Sequence, residues 1–326
     1  MSKRGWLLFA AMSVIWGVPY LFIKIAVDVL SPASLVLCRT GLAALILLPV
    51  ALARGEIRPL LKHWKALLAF TVSELAVPWL LLSKAETHLS SSLTGLLIAA
   101  VPLVGAVLGW VTRTDRLDSR RLVGLGVGLL GVVALAGLDL GRGNAVALVE
   151  LGVVAIGYAL GPFILAHGLA GAPRIGVTAA ALTLTALIYL PAGVAEFPHA
   201  WPKASVLASV AVLALLCTAI AFLLFYALID EVGPVRSTVI TYVNPAVAVV
   251  LGVLFLDESL TWSIAAGFAL ILAGSVLATR RSRPRPGSAQ WTGSAQWTDD
   301  DTMTSHDGSV RAGALGDTRV GPADRA

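Results

Sequence analysis

PLVGAVLGWVTRTDRLDSRRLVGLGVGLLG, from Pro102 to Gly131, and PAVAVVLGVLFLDESLTWSIAAGFALILAG, from Pro245 to Gly274, are the two stretches whose comparison decides the fold. One offset of 143 residues sets Pro102 on Pro245, Gly109 on Gly252, Asp115 on Glu258, Leu117 on Leu260, Gly124 on Gly267 and Gly131 on Gly274. The same offset carries Pro19 to Pro162 near the start of the chain, so an internal duplication is expected.

Both stretches are apolar apart from one short charged connection, and the whole chain shares that character. Hydrophobic residues make up 57% of 326 positions and charged residues 13%, with a mean hydropathy of +0.86. Soluble domains carry about 25% charged residues, so this supply cannot build a water-facing surface. Apolar runs near the length of a bilayer crossing occur at 6–27, 33–53, 64–84, 90–112, 121–138, 145–167, 174–195, 204–228, 234–256 and 261–279. They lack the alternation of barrel strands, which predicts an all-α integral membrane protein of about ten transmembrane helices.

Five spans per copy is an odd number, so the second copy enters the membrane upside down. The expected organisation is a first five-helix repeat over 1–140, an inverted second repeat over 141–281 and a disordered cytoplasmic tail over 282–326. The tail carries the tandem GSAQWT from Gly287 to Thr298 and the acidic run Asp299 to Asp301. Lys3, Arg4, Arg54, Arg58, Lys62, Lys65, Arg113, Arg116, Arg120, Arg121, Arg174, Arg236 and the four arginines of 280–285 fall on one side of the membrane, against Lys84, Arg142 and Lys203 on the other. The positive-inside bias places both termini in the cytoplasm and the chain in the cell membrane. It also accounts for the net charge of +5 without any nucleic-acid partner.

Inverted repeats can exchange roles and expose one midplane site to either side in turn, which makes transport the leading expectation. Proline inside a helix frees the carbonyl four residues earlier. Pro19, Pro102, Pro162 and Pro245 form two repeat-related pairs, with Pro78 a fifth, and mark helix weaknesses suited to binding or gating. Glu74 lies deep in the 64–84 span, where a charge costs about 2.5–3.5 kcal/mol and normally faces a cavity or the bundle interior. Trp16, Tyr20 and Lys24 fall on one broad helical face and suggest a cavity wall. Trp79, Tyr158, Phe222, Tyr226, Thr241, Tyr242 and Asn244 sit at mid-span, away from the interface where aromatic residues usually lie, and join the expected substrate-binding set. Arg39 and Glu258 are expected to act in structure or gating.

Cys38 and Cys217 both lie inside apolar spans and behave as small buried hydrophobes. Gly126, Gly128 and Gly131 spell GxGxxG, but with no strand before them they signal close helix packing, together with Gly124 and with Ala265, Ala269 and Ala273. No HExxH, GxSxG, P-loop or paired metal-ligand spacing occurs, so the sequence gives no support for an enzyme, a cofactor or a metal. The partners expected are a small-molecule substrate and the lipid bilayer, and a homo-oligomer is compatible with the sequence.

WGVPYLFIKIA from Trp16, LCRTGLAALILLP around Arg39 and YVNPAVAVVLGVLFLDESLTWSIAAGFALILAGSVL from Tyr242 to Leu277 resemble the EamA family of the drug/metabolite transporter superfamily, over about residues 6–279. That resemblance implies a ten-helix inverted-repeat exporter or importer of metabolites, often amino acids, with a central cavity bordered by spans 1, 3, 4, 6, 8 and 9. It matches Lys24 and Arg39 to basic positions of the first two spans, and Glu258 to the acidic residue before the last. Val18-Pro19 replaces a more polar pattern common in relatives, and no arginine in span 7 corresponds to Arg39. A broad-specificity cationic drug exporter is the alternative within transport; a lipid scramblase or membrane scaffold is the alternative outside it.

Overall fold

The computed structural model describes residues 2–112, 118–136, 142–233 and 237–279. Asp115 and the tail from Ser282 lie outside the described residues, so the acidic pair of the repeat is seen only at Glu258. All described secondary structure is helical.

Short polar caps and prolines decide where these helices begin. α1 (Lys3–Ile15) starts at Ser2, whose hydroxyl accepts from the Gly5 amide at 2.9 Å, and gives way to a turn at 16–18 before α2 (Pro19–Val27). Proline lacks the amide that a first turn would leave unpaired, so Pro19 opens α2 as Pro32 opens α3 (Pro32–Ala53). The next crossing is built from α4 (Trp64–Phe70), a π-helical turn at Thr71–Ala76 and α5 (Val77–Ala85). α6 (Ser91–Ile98), capped by Ser90, breaks before Pro102 and continues as α7 (Val101–Val111). α8 (Ser119–Ala136), α9 (Arg142–Gly168) and α10 (Arg174–Ala195) follow. α11 (Ala204–Ala214), a second π turn at Leu215–Ile220 and α12 (Ala221–Val232) make another crossing. A 3₁₀ turn at Thr238–Tyr242 leads into α13 (Asn244–Phe255), and α14 (Trp262–Thr279) ends the described chain.

Seven of these helical segments are long and apolar enough to cross a bilayer, and 239–255 and 264–279 are shorter apolar helices. Leu7, Leu45, Leu129, Val149 and Leu254 are each more than 60% exposed, so the apolar surface points outward, as a lipid-solvated protein requires. Trp6, Trp64, Trp110, Trp201 and Trp262 are all exposed, in keeping with interfacial anchors.

The prolines act unequally. Pro19, Pro102 and Pro245 each open a helix after a break, and Pro78 opens α5 after the π turn, but Pro162 sits inside the unbroken α9. The expected weakness at Pro162 is therefore absent, although Pro19, its sequence counterpart, does interrupt a helix. The two π turns, at Thr71–Ala76 and Leu215–Ile220, lie 144 residues apart, close to the sequence offset, and neither was legible as a π turn.

Residues 1–282 form one compact unit. Its main packings join α8 to α14, α10 to α3, α5 to α9, α13 to α6, α11 to α2 and α1 to α12, so each pairs a helix before residue 140 with one after it. The α8–α14 contact runs backbone to backbone: a Cβ on Gly131 would stand 2.7 Å from the Ile271 amide, and one on Gly124 2.5 Å from that of Ala278. Gly128 meets the Leu103 side chain, whereas Gly126 faces open space. The expected alanine stripe does not pack against α8. Ala265, Ala269 and Ala273 are exposed, and Gly267 and Gly274 face α8 instead. Gly274→Val should therefore destabilise the protein by about 1–3 kcal/mol through overpacking, while Gly126→Val should leave the detergent-solubilised melting temperature near wild type. Equal melting temperatures for the two variants would contradict this contact.

Candidate functional site

A row of polar side chains runs through the apolar bundle, and the irregular turns hold its middle. Glu74 lies within the first π turn, against α9, where Gly157 and Gly161 leave room. A Cβ on Gly161 would collide with the Glu74 carboxyl and one on Gly157 with the Ser73 carbonyl, so glycine is what lets α9 approach the carboxyl-bearing turn. Glu74 Oε2 is buried and has no hydrogen-bond partner.

Tyr158, between those two glycines on α9, stands within electrostatic reach of both Glu74 and Arg39 and touches Trp79. Arg39 is only 7% exposed, its guanidinium 3.8 Å from the centroid of the Trp79 ring. Its Nε donates to Thr218 Oγ1 at 3.0 Å, and that hydroxyl donates to the Leu213 carbonyl five residues earlier at 2.8 Å, in the register of the second π turn. Tyr20 and the buried Cys217 flank the same arginine.

Beyond Tyr20, toward the end that bears Lys84 and Lys203, the row ends in three further charged residues. Lys24 Nζ donates to the carbonyls of Glu86 at 2.6 Å and Leu89 at 2.9 Å. Glu258 Oε1 accepts from the Ser91 amide at 2.7 Å and Oε2 from the Ser92 amide at 2.9 Å, placing a carboxylate on the N-terminus of α6. Asp257, with φ of 53°, makes the left-handed bend ahead of Glu258, and a Cβ on Gly252 would strike both the Glu258 carboxyl and the Ser92 hydroxyl. Glu86 is fully buried, and neither carboxyl oxygen has a partner. It lies one residue past the Arg58–Ala85 crossing. Burial pushes its carboxyl well above the usual carboxylate range, and the Lys24 ammonium pulls it back.

At the opposite end a cavity of about 380 Å³ is lined by residues including Glu56, Arg174, Leu223, Tyr226 and Asp230. Arg174 Nη1 meets Asp230 Oδ1 at 2.8 Å, and Glu56 Oε2 accepts from the Gly176 amide at 2.8 Å. Tyr226 hydrogen-bonds Thr178 and also donates to the Arg174 carbonyl at 3.2 Å. It lies within electrostatic reach of Glu74.

The sequence-derived set is thus divided. Glu74, Trp79, Tyr158, Tyr20 and Tyr226 belong to the row. Trp16 joins an aromatic cluster, its ring 6.0 Å from Phe222 and 4.6 Å from Phe225, and those two rings stand 6.2 and 6.4 Å from that of Tyr226. Lys24 is occupied by protein carbonyls rather than lining the cavity. In the amide orientation that satisfies both its side-chain atoms, Asn244 donates to the carbonyls of Ser13 at 3.0 Å and Ile240 at 2.9 Å, tying α1 to the broken start of α13. Thr241 is exposed, and Tyr242 pairs with Thr279 at 3.1 Å. Sequence reasoning missed Glu86, whose place at a span end looks like a solvated interface, and Gly161, whose only signal was its GxxxG spacing from Gly157. Gly161→Leu should displace the Glu74 carboxyl and separate α9 from the first π turn; a protein that melts and transports like wild type would show that this glycine is not needed for the fit.

The EamA-like transporter family profile matches twice, over residues 3–137 and 147–280. An uncharacterized transporter of Bacillus subtilis, YvbV, is 24% identical over 88% of this chain and 95% of its own length. An uncharacterized inner membrane transporter of Escherichia coli, YedA, is 30% identical over 74% of this chain and 79% of the relative. A probable terminal-alkyne amino-acid exporter of Streptantibioticus cattleyicolor is 28% identical over 87% of this chain and 96% of the relative. One solved crystal structure superposes with a TM-score of 0.61 at 20% identity, covering 86% of this chain and 98% of that one, which supports the fold alone. A helical, multi-pass membrane chain with a polar row through its interior and two profile matches spanning nearly all of its apolar length belongs to the EamA-like transporter family.

Proposed function

We propose that this chain is a secondary transporter of the cytoplasmic membrane that moves a small metabolite, an amino acid or a related compound, by alternating access. In this reading ten spans form two five-helix repeats of opposite orientation, with both termini in the cytoplasm. The main helix packings support it. Exchanging the two halves converts the α5–α9 packing into that of α12 with α1, and keeps α8–α14 and α10–α3 as themselves. Such a pattern lets each half take over the other's role.

The observation that carries the proposal is the asymmetry of the polar row. It ends in hydrogen-bonded charged groups at the Lys24–Glu258 end and in a cavity of about 380 Å³ at the Arg174 end. Positive-inside counting puts the open end toward the cytoplasm, so this conformation is inward-facing. The name of the Streptantibioticus relative supports the substrate class. Uptake and counterflow in sealed proteoliposomes with amino acids, nucleosides and cationic dyes test it. Movement of amino acids is expected. Movement of dyes alone would favour the drug-exporter reading, for which the unpartnered Glu74 oxygen is the relevant feature, and movement of nothing would overturn transport.

Glu74→Gln should preserve folding and alter the transport rate or its pH dependence between about pH 5 and 8, since an unpartnered deep carboxyl is retained at a cost only when it binds something. Wild-type rates throughout that range would remove Glu74 from the mechanism. Pro102 and Pro245 open α7 and α13 after equivalent breaks. Replacing either with Ala should let the helix run on through the break, closing a hydrogen bond of about 0.5–1.5 kcal/mol that the broken helix lacks, and bias the two variants toward opposite-facing states. Cysteine accessibility from outside should rise in one and fall in the other, and identical labelling in both would assign the prolines to packing only.

A further inference from the structure

We infer that Arg39 is the carboxylate-binding subsite of this transporter, so that the substrate class it selects is one bearing a planar carboxylate, such as an amino acid. The inference deepens the transport reading and rests on it. A guanidinium has five N–H donors in a rigid fork. Stacking on Trp79 fixes the plane of Arg39, and the bond from Nε to Thr218 fixes its rotation within that plane. Neither contact uses the two terminal nitrogens. Among the described residues these nitrogens have no hydrogen-bond partner, and no carboxylate oxygen comes within ion-pair distance of Arg39. They are not among the buried polar atoms sealed from solvent, unlike both oxygens of Glu86.

A side chain 93% withdrawn from solvent, held by two contacts and still presenting its bidentate edge, is arranged to receive something. Structural arginines in apolar interiors are normally paired, because an uncompensated buried charge costs several kcal/mol. The planar fork matches a carboxylate through two parallel N–H···O bonds, a geometry a lysine cannot reproduce. The position suits a substrate, since Tyr158, near Arg39, sits on α9 between Gly157 and Gly161, the two residues that receive the Glu74-bearing turn. The holding groups come from both halves of the chain: Trp79 from the first and Thr218 from the second. A change in how the halves pack would therefore alter the fork, which is how a bound carboxylate would become coupled to the transport cycle.

The first test uses the unmodified full-length protein in proteoliposomes, treated with phenylglyoxal, an arginine-selective dicarbonyl, and read by peptide mass spectrometry at Arg39. A mixture of L-amino acids with neutral side chains should slow modification of Arg39 about fivefold or more, and their N-acetyl forms should do the same. The same amino acids as α-amides should give no protection. Equal rates in all three mixtures, or no modification of Arg39 at all, would overturn the inference. In parallel, uptake of the amino-acid mixture should fall about tenfold in both Arg39→Lys and Arg39→Gln, with size-exclusion profiles confirming folded variants. If amino acids cross the membrane equally well in wild type and Arg39→Gln, the subsite is wrong and transport stands. Should they protect Arg39 yet fail to cross, the subsite stands and the amino-acid transport reading fails. Labelling of the wild type decides the matter even if neither variant folds.

Discussion

Hydrocarbon cannot hydrogen-bond, and this chain has so few charged residues that most of its surface must face hydrocarbon. Every polar group within the membrane is therefore driven inward or to the two ends, and each helix has to satisfy its own backbone. From that constraint follow both the exposed leucine and valine surface and the row of polar side chains within. Charge is concentrated where the fold can use it: Glu258 rests on a helix N-terminus, Lys24 on two carbonyls and Arg39 on an aromatic ring.

Apolar side chains gain little from leaving lipid for one another, so helix association depends on close packing. Glycine provides it at two places with different consequences. Along α8 and α14 the glycines bring backbones together and build a rigid pair. On α9, Gly157 and Gly161 admit the Ser73 carbonyl and the Glu74 carboxyl, so the same small residue makes space for chemistry. Breaks and π turns complement this, because they re-aim polar side chains without exposing backbone to lipid. Thr218 illustrates the point: its hydroxyl takes up a carbonyl of the widened turn and at the same time accepts the Arg39 bond.

The two ends of the polar row differ in kind. At one, Lys24 and Glu258 bond backbone groups of the 86–92 segment, beside the buried Glu86. At the other, Arg174 and Asp230 pair beside an open cavity and are themselves largely exposed. An exposed pair of that sort contributes about 0–1 kcal/mol and yields easily. The buried cluster involves more groups.

The sequence by itself determined the solvent, the helical class, the duplication and the deep position of Glu74, because these depend on composition and spacing along the chain. It also picked out Tyr158, Trp79 and Tyr226, whose polar tips at mid-span had no other account. Tertiary structure decided which polar groups meet. Lys24 and Asn244 look like binding residues in sequence but spend their hydrogen bonds on neighbouring backbone, whereas Arg39, expected only to support structure or gating, keeps its fork unpaired. Pro162 carries the same sequence signal as Pro19 yet leaves α9 unbroken. The physical reason is common to these cases: a partner's position depends on helices far apart in sequence, and no local pattern records whether a carbonyl, a ring or empty space lies opposite a given side chain.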